Sequence, residues 1–90
     1  MQFSWDSRKA AVNLRTHGIS FEEASSVFSD NFALTGADPD HSIGEQRWIT
    51  FGESTRGRLL AVSHTDFGDM IRIISARAAT RTERKLYEEG

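Results

Sequence analysis

The chain begins with an alternation of apolar and polar residues that is typical of a strand with one buried face. Three apolar residues occupy the odd positions, namely Met1, Phe3 and Trp5. A helix is expected next, because an apolar stripe runs from Ala10 to Leu14 and Gly18 permits a left-handed stop. Asp6 or Ser7 can accept hydrogen bonds from the first free amides of that helix. The pattern predicts a strand followed by a short helix.

Two further helices are indicated by capping boxes, in which a hydroxyl residue precedes a glutamate by three positions. The first box is Ser20 with Glu23, and one apolar helical face continues through Phe21, Ala24 and Phe28. The second box is Thr80 with Glu83, and it opens a C-terminal helix that runs through Glu89. This last helix has few apolar residues, so we expect a sheet to hold it in place.

Three segments in the second half are rich in β-branched and aromatic residues: Gln46–Gly52, Arg58–Thr65 and Met70–Arg77. Short turn-forming stretches separate them, so an antiparallel meander is expected. Residues 32–37 are expected to add a short strand before a loop over 38–44. The fold class predicted is α+β: an antiparallel sheet of about four strands, two N-terminal helices and one C-terminal helix, in one domain spanning residues 1–90.

Composition narrows the possible functions only a little. A chain of 90 residues buries one modest core, and the absence of cysteine excludes disulfides, thiolate zinc sites and a cysteine nucleophile. No apolar run is long enough to cross a bilayer and the N-terminus does not resemble a signal peptide, so a cytoplasmic location is expected. Residues 1–45 carry three basic and seven acidic side chains, whereas residues 46–90 carry eight and six. The second half is therefore the one suited to a polyanion.

A simple register for the meander distributes the arginines between the two faces of the sheet. If each connection is a plain loop, Gly52 faces Arg58 and Thr65 faces Met70. One face of the sheet then carries a row of three polar residues: Arg47, Ser63 and Arg72.

Arg58 and Arg77 are expected to pair across neighbouring strands on the other face. Two like charges side by side are unfavourable, and either an anion or a carboxylate such as Glu53 would relieve the repulsion. Guanidinium groups match phosphate oxygens two at a time, so the pair predicts a phosphate site. For any single arginine, ordinary salt bridging at the rim of the sheet is the simpler interpretation.

Short motifs with a common order and spacing resemble the BrnT family of bacterial toxins over nearly the whole chain. In the first half they are Phe3-x-Trp5-Asp6, Lys9, Asn13-Leu14-Arg15 and His17-Gly18-Ile19-x-Phe21-Glu22-Glu23-Ala24. In the second half they are Asp38-Pro39-Asp40-His41, Glu45-x-Arg47, Gly57-Arg58-x-Leu60, Ile71-Arg72-Ile73-Ile74-Ser75-Ala76-Arg77-x-Ala79-Thr80, Glu83-Arg84 and Tyr87.

The resemblance implies a fold similar to RelE-type toxins and a ribonuclease that inhibits translation as part of a type II toxin–antitoxin system. It also implies a DNA-binding antitoxin, BrnA, so that DNA is contacted only through the antitoxin. One departure concerns Arg15, because such sequences often carry lysine there. Arginine keeps the charge and cannot give up its proton, so the acid and base are to be sought elsewhere.

Metal-free RNA cleavage needs a group that accepts the 2′-hydroxyl proton, one that protonates the leaving oxygen, and cations for the developing charge. His17 is the first candidate for proton transfer, and an equally good interpretation is a helix C-terminus favoured by the dipole. An alternative set pairs Glu45 or Glu53 with Arg77 or Arg58. The catalytic residues predicted are Arg77, Arg58, His17 and Glu53.

The RNA-binding residues predicted are Trp5, Lys9, Arg15, Arg47 and Arg72. Trp5 is included because the resemblance covers it, although tryptophan in an apolar pattern is more often part of the core. Cofactors and metals are not expected, because turn formation explains the three residues that might suggest a metal: Asp38, Asp40 and His41.

A second hypothesis of a different class is a binding or regulatory module without catalysis, whose arginines contact a partner protein or nucleic acid. Direct DNA recognition ranks third, because the helices lack a basic face. An antitoxin is expected to be acidic or to insert a segment over Arg58, Arg72 and Arg77.

Overall fold

The computed structural model describes residues 1–39 and 45–90. Within them the elements are β1 (Gln2–Ser4), α1 (Ser7–His17), α2 (Phe21–Ser26), a 3-10 turn (Val27–Ser29), β2 (Leu34–Ala37), β3 (Trp48–Glu53), β4 (Leu59–Phe67), β5 (Met70–Ala78) and α3 (Arg81–Glu89). The α+β class predicted from the pattern is confirmed. None of the helices in the described ranges has the length and apolar character needed to cross a membrane.

Over the described residues the sheet has five strands in the order β1-β5-β4-β3-β2. Strands β2 to β5 form the expected antiparallel meander, while β1 lies parallel to β5 and pairs Ser4 with Arg72. The prediction of about four antiparallel strands is therefore wrong, because the sheet is five-stranded and mixed. The hydrophobic pattern predicts that β1 is a strand but not which strand it pairs with. That choice depends on where α1 and α2 place the chain between β1 and β2.

The helix ends follow their capping residues. The Asp6 carboxylate accepts from the amide of Arg8 at 2.8 Å, and Gly18 ends α1 with φ 70°. α2 differs from the prediction, because it ends at Ser26 and a 3-10 turn contains Phe28. Two hydroxyls compete with the helical hydrogen bonds there, since Ser25 and Ser26 each donate to the carbonyl three residues earlier at 2.6 Å.

The core lies between the first two helices and one face of the sheet. Apolar side chains from α1–α2, the 3-10 turn, β4 and β5 meet there with less than a tenth of their surface exposed: Ile19, Phe21, Ala24, Val27, Leu60, Val62, Ile71, Ile73 and Ala76. Gly52 on β3 is packed closely against this layer, since a Cβ at that position would come within 2.7 Å of a Val27 methyl. We call the face that packs on α1 and α2 the core face, and the opposite one the outer face.

The strand register differs from the predicted one by two residues. Gly52 pairs with Leu60, and Thr65 pairs with Arg72. Because side chains alternate with a period of two, a two-residue shift keeps each residue on its predicted face. The expected register is therefore wrong, although a shift of two residues leaves the alternation of faces in β4 unchanged.

A β-bulge in β5 changes the faces beyond it. Ser63 pairs with Ser75 and His64 pairs with Ile73, so Ile74 has no partner on β4. One extra residue reverses the alternation along the rest of the strand. Arg77, which was predicted on the core face, consequently lies on the outer face.

Asn13 attaches α1 to the open edge of β5. Its side-chain amide donates to the carbonyl of Ala76 at 2.8 Å and to that of Ile19 at 3.0 Å, and its oxygen accepts from the amide of Ala76 at 3.1 Å. β1 pairs with β5 only as far as Arg72, so the backbone of Ala76 has no strand beside it on that side. The Asn13 side chain, which is 5% exposed, takes the place of a neighbouring strand.

We expect Asn13→Ala to lower the free energy of unfolding by about 2–3 kcal/mol, because truncation leaves the buried amide and carbonyl of Ala76 without partners. Urea denaturation followed by circular dichroism measures the change. Leu14→Ala is the matched control, since it removes a half-exposed side chain from the same helix and is expected to cost much less. A loss below about 0.5 kcal/mol for Asn13→Ala would contradict this role.

Candidate active site at the α1–β5 junction

A groove of about 360 Å³ separates α1 from the bulged part of β5. Its lining residues are Arg8, Lys9, Val12, Asn13, Thr16, His17, Ile74 and Ser75. Three of these carry or can carry a positive charge, and the lining contains no carboxylate among the residues that the structure describes. Such a groove is suited to an anion.

Helical spacing explains why the cations of α1 point into this groove. Lys9, Asn13 and His17 follow one another at intervals of four and therefore lie in one row along the helix. Asn13 is bonded to the edge of β5, which turns the residues one turn before and after it toward the same strand. The contact that attaches the helix thus also positions Lys9 and His17.

The groove opens onto the outer face of the sheet at Ser75. Ile71, Ile73 and Ala76 belong to the core, so the alternation of β5 places Arg72, Ser75 and Arg77 on the outer face. Ser75 also lines the groove, and it lies in sequence between Arg72 and Arg77. We call the set Arg8, Lys9, His17, Arg72, Ser75 and Arg77 the α1–β5 site.

Arg77 is paired with Glu83 of α3. Its Nη1 and Nη2 donate to the two carboxylate oxygens at 2.7 and 2.8 Å. These hydrogen bonds lower the pKa of Glu83 to about 2 and raise that of the Arg77 guanidinium. The same carboxylate accepts from the amide of Thr80 at 2.9 Å and so completes the capping box of α3.

Arg58 lies on the core face of the sheet, whereas Arg77 lies on the outer face, so the two do not pair. Its Nε donates to Glu23 at 2.9 Å, its Nη2 donates to both Glu23 and the carbonyl of Gly18, and the second of these bonds is 3.1 Å long. The predicted Arg58–Arg77 pair is wrong for two reasons. The bulge moves Arg77 to the outer face, and the buried Glu23 carboxylate, which is 5% exposed, binds Arg58.

Glu23 is itself held by several donors, which explains how a carboxylate is tolerated inside. The guanidinium of Arg58 is the main cause of its lowered pKa, and the Ser54 hydroxyl, which donates at 2.7 Å, adds to the effect. Arg58 therefore links the start of β4 to α2 and to the end of α1, directly beside His17.

Glu53 is not brought together with the α1–β5 site. It lies at the end of β3, two strands from β5, and its side chain is exposed. It lines a separate polar cleft of about 220 Å³ with Asp30 and Ser54, and its amide donates to the Asp30 carboxylate at 2.8 Å. Its catalytic role stays a prediction.

The remaining residues predicted to bind RNA occupy different surroundings. Arg47 immediately precedes β3, and continuing the register of β3 places it beside Thr65, which pairs with Arg72. The predicted row of Arg47, Ser63 and Arg72 therefore contains Thr65 in place of Ser63. Arg15 is exposed on α1 and does not line the groove. Trp5 is half-buried and meets Phe21 edge-to-face with ring centroids 6.0 Å apart, which is the contact of a core residue.

His17 is exposed, in contrast to the other histidine that the structure describes. His64 is 1% exposed, and its two ring nitrogens bond to Thr50 at 2.7 Å and Asp66 at 2.6 Å. His64 is therefore a core residue of β4. His17 is thus the described imidazole that a substrate can reach.

The residues that suggested a metal from the sequence lie mostly outside the described part of the chain, since Asp40 and His41 belong to residues 40–44. Over residues 1–39 and 45–90 no three His, Asp or Glu side chains are grouped as a metal ion would require. The donors gathered at the α1–β5 site are cations and a hydroxyl.

Comparison with known proteins identifies the family. Residues 5–83 match the family model described as "Ribonuclease toxin, BrnT, of type II toxin-antitoxin system". The chain belongs to the BrnT family. A search of curated proteins gave no match. The resemblance deduced from the motifs is therefore confirmed, and membership implies ribonuclease activity and an antitoxin protein as partner.

A solved BrnT structure shows the same fold. The crystal structure of the Brucella abortus ribonuclease toxin BrnT matches with a TM-score of 0.64 and 24% identity, over 90% of this chain and 99% of that one. The fold of this chain is thus similar to that of a solved BrnT toxin. The narrower likeness to RelE-type toxins stays a prediction.

Sequence reasoning missed two residues of the α1–β5 site in this BrnT-family protein, and it missed the partner of a third. Arg8 had a usable signal, since it precedes Val12 and Thr16 at helical intervals. Ser75 had none, because the bulge that brings it to the groove is not visible in the hydrophobic pattern. Glu83 was recognised as part of a capping box and not as the partner of Arg77.

The Arg77–Glu83 pair predicts an acid-sensitive contribution to stability. The folded-state pKa of Glu83 is depressed from 4.5 to about 2, so its contribution is fully present above 4.5 and is lost as the pH falls toward 2. Urea denaturation of wild type and Glu83→Gln from pH 7 to pH 2 measures this. We expect wild type to be the more stable at pH 7 and the difference to shrink below pH 4.5. A difference independent of pH would contradict the assignment.

Proposed function

We propose that this BrnT-family ribonuclease cleaves RNA internally and without a divalent metal, at the α1–β5 site. The observation that carries the proposal is the groove between α1 and β5, which is lined by Arg8, Lys9, His17 and Ser75. Arg72 and Arg77 stand on β5 to either side of Ser75 in the sequence and share its face of the strand. Arginine, lysine and histidine side chains can supply the positive charge and the proton transfer that the reaction needs.

In such a reaction the ribose 2′-oxygen loses its proton and bonds to phosphorus, while the bond from phosphorus to the 5′-oxygen breaks and that oxygen takes up a proton. The phosphorus passes through a state with extra negative charge. His17 is the group proposed to move a proton, since an imidazole can both donate and accept one and this imidazole is exposed at the groove. Arg77 is proposed to stabilise the developing charge on the phosphate oxygens. An arginine already held in position does not have to reorient when that charge appears, so no reorganisation energy is needed.

Lys9 and Arg72 are proposed to hold the phosphates on either side of the scissile bond. Arg47, two strands away in the row of Arg72, would extend this contact along the RNA strand. Arg15 and Trp5 stay predictions as RNA-binding residues, and the packing of Trp5 against Phe21 favours a structural role.

Arg58 was predicted to be catalytic, and its contacts support a different role. It neutralises the buried Glu23 and binds the carbonyl of Gly18, so it fixes the turn that follows His17. Catalysis by Arg58 or Glu53 remains a prediction that no contact with the α1–β5 site supports.

In the cell, RNA cleavage would inhibit translation, and a BrnA-like antitoxin would neutralise the toxin in the cytoplasm. Covering the cationic outer face is the direct way to block RNA. An acidic segment laid over Arg72 and Arg77 fits that requirement, and DNA would then be contacted through the antitoxin alone.

Purified protein is expected to cleave a mixed-sequence RNA in the presence of EDTA, and His17→Gln is expected to slow cleavage by roughly a hundredfold or more. Gel analysis of an end-labelled transcript measures both. Arg84→Ala is the control, since Arg84 is an exposed cation on α3 outside the groove. If EDTA abolishes cleavage and Mg²⁺ restores it, the metal-independent mechanism is wrong.

Arg77→Ala is expected to keep the wild-type circular dichroism spectrum while its kcat falls by roughly a hundredfold, because a fixed donor to the transition state is lost. Lys9→Ala is expected to act mainly through KM, since a lysine at the groove contributes to binding RNA in the ground and transition states alike. Full activity of folded Arg77→Ala would remove Arg77 from the site.

A further inference from the structure

The Glu83 carboxylate binds two separate parts of the protein: the guanidinium of Arg77 on β5 and the backbone at the start of α3. One oxygen accepts from both Arg77 Nη1, at 2.7 Å, and the Thr80 amide, at 2.9 Å. The other oxygen accepts from Arg77 Nη2 at 2.8 Å. The first turn of α3 and the guanidinium of Arg77 are therefore fixed by the same group.

Among residues 1–39 and 45–90, no hydrogen bond uses the Nε edge of this guanidinium, and the Asp38 carboxylate adds to its favourable electrostatic surroundings. Arginine has five N–H donors, and Glu83 takes one from each terminal nitrogen at the end of the fork. Nη1 also donates to the carbonyl of Ala78 at 3.3 Å. A phosphate can still bind through Nε and the second hydrogen of Nη2, which is the other bidentate geometry of arginine.

The carboxylate cannot easily follow a moving guanidinium, because α3 is held at both ends. At its start Thr80 closes the capping box with Glu83. Near its end the Tyr87 hydroxyl donates to the Asp30 carboxylate at 2.5 Å, and this bond raises the pKa of Tyr87 to about 12. No residue of α3 is buried, so these polar contacts hold the helix in place of a core.

We propose that Glu83 is a positioning residue for cleavage: it fixes Arg77 so that the Nε edge of the guanidinium faces the scissile phosphate of RNA. This inference rests on the proposed function, because it assumes that Arg77 contacts the phosphate. Glu83 itself touches no RNA in this arrangement. Its ionised carboxylate acts through Arg77 alone.

The test is a double-mutant cycle in cleavage kinetics with Glu83→Gln and Arg77→Ala. Glutamine also closes a capping box, so the start of α3 is preserved while the charge that holds Arg77 is lost. We expect Glu83→Gln to lower kcat by roughly tenfold to a hundredfold with little change in KM, since a misplaced catalytic group slows the chemical step. In the Arg77→Ala background the same change is expected to have no further effect.

The probe is a fluorescently labelled 20-nucleotide RNA of mixed sequence, and Glu88→Gln is the matched control. Glu88 is an exposed carboxylate on the same helix, and its loss is expected to leave kcat and KM unchanged. Arginine side-chain ¹⁵N spectra without RNA supply a second readout. We expect the Arg77 Nε–H signal to become more mobile in Glu83→Gln and to stay unchanged in Glu88→Gln.

Three results would overturn the inference. A rise in kcat/KM for Glu83→Gln would show that the carboxylate competes with RNA for Arg77. An unchanged kcat in a folded variant would show a purely structural pair. A loss that persists in the Arg77→Ala background would show that Glu83 acts by another route. Failure of the proposed function is read separately, as full cleavage by Arg77→Ala alone.

Discussion

The bond between Asn13 and the backbone of Ala76 is the contact on which both the fold and the candidate site depend. β1 is too short to cover the whole edge of β5, and an open edge inside a folded domain leaves amides and carbonyls without partners. Asn13 supplies a donor and an acceptor at the required spacing and so substitutes for a strand. Because it belongs to α1, it also determines how that helix lies against the sheet.

The groove follows from this contact together with the bulge at Ile74. α1 is fixed to the edge of β5 at one point, and the bulge adds one residue to β5 close by. Space is therefore left between the helix and the strand. That space contains Lys9 and His17, which lie one helical turn to either side of Asn13. The family is described as a ribonuclease toxin, and this geometry supports the proposal that an anionic chain binds at the α1–β5 site.

Arg58 and Arg77, which the sequence predicted to be neighbours, are each held by a different carboxylate. Glu23 binds Arg58 and thereby fixes the end of α1, while Glu83 binds Arg77 and the start of α3. Each guanidinium is oriented by a partner that keeps its charge at neutral pH, since both carboxyl pKa values are lowered. On the outer face, Arg77 is thus held by an ion pair, while on the core face Arg58 is held by another.

The sequence by itself indicated which segments form helices and strands, and it pointed to the family. Caps at Asp6, Ser20 and Thr80, and the alternation of β4, are local signals that need no distant partner. The tertiary structure alone decided the parallel partner of β1, the strand register and the bulge. These features depend on contacts between segments that are far apart in the sequence. Since one inserted residue reverses every side chain after it, the face of Arg77 could not be read from spacing along the chain.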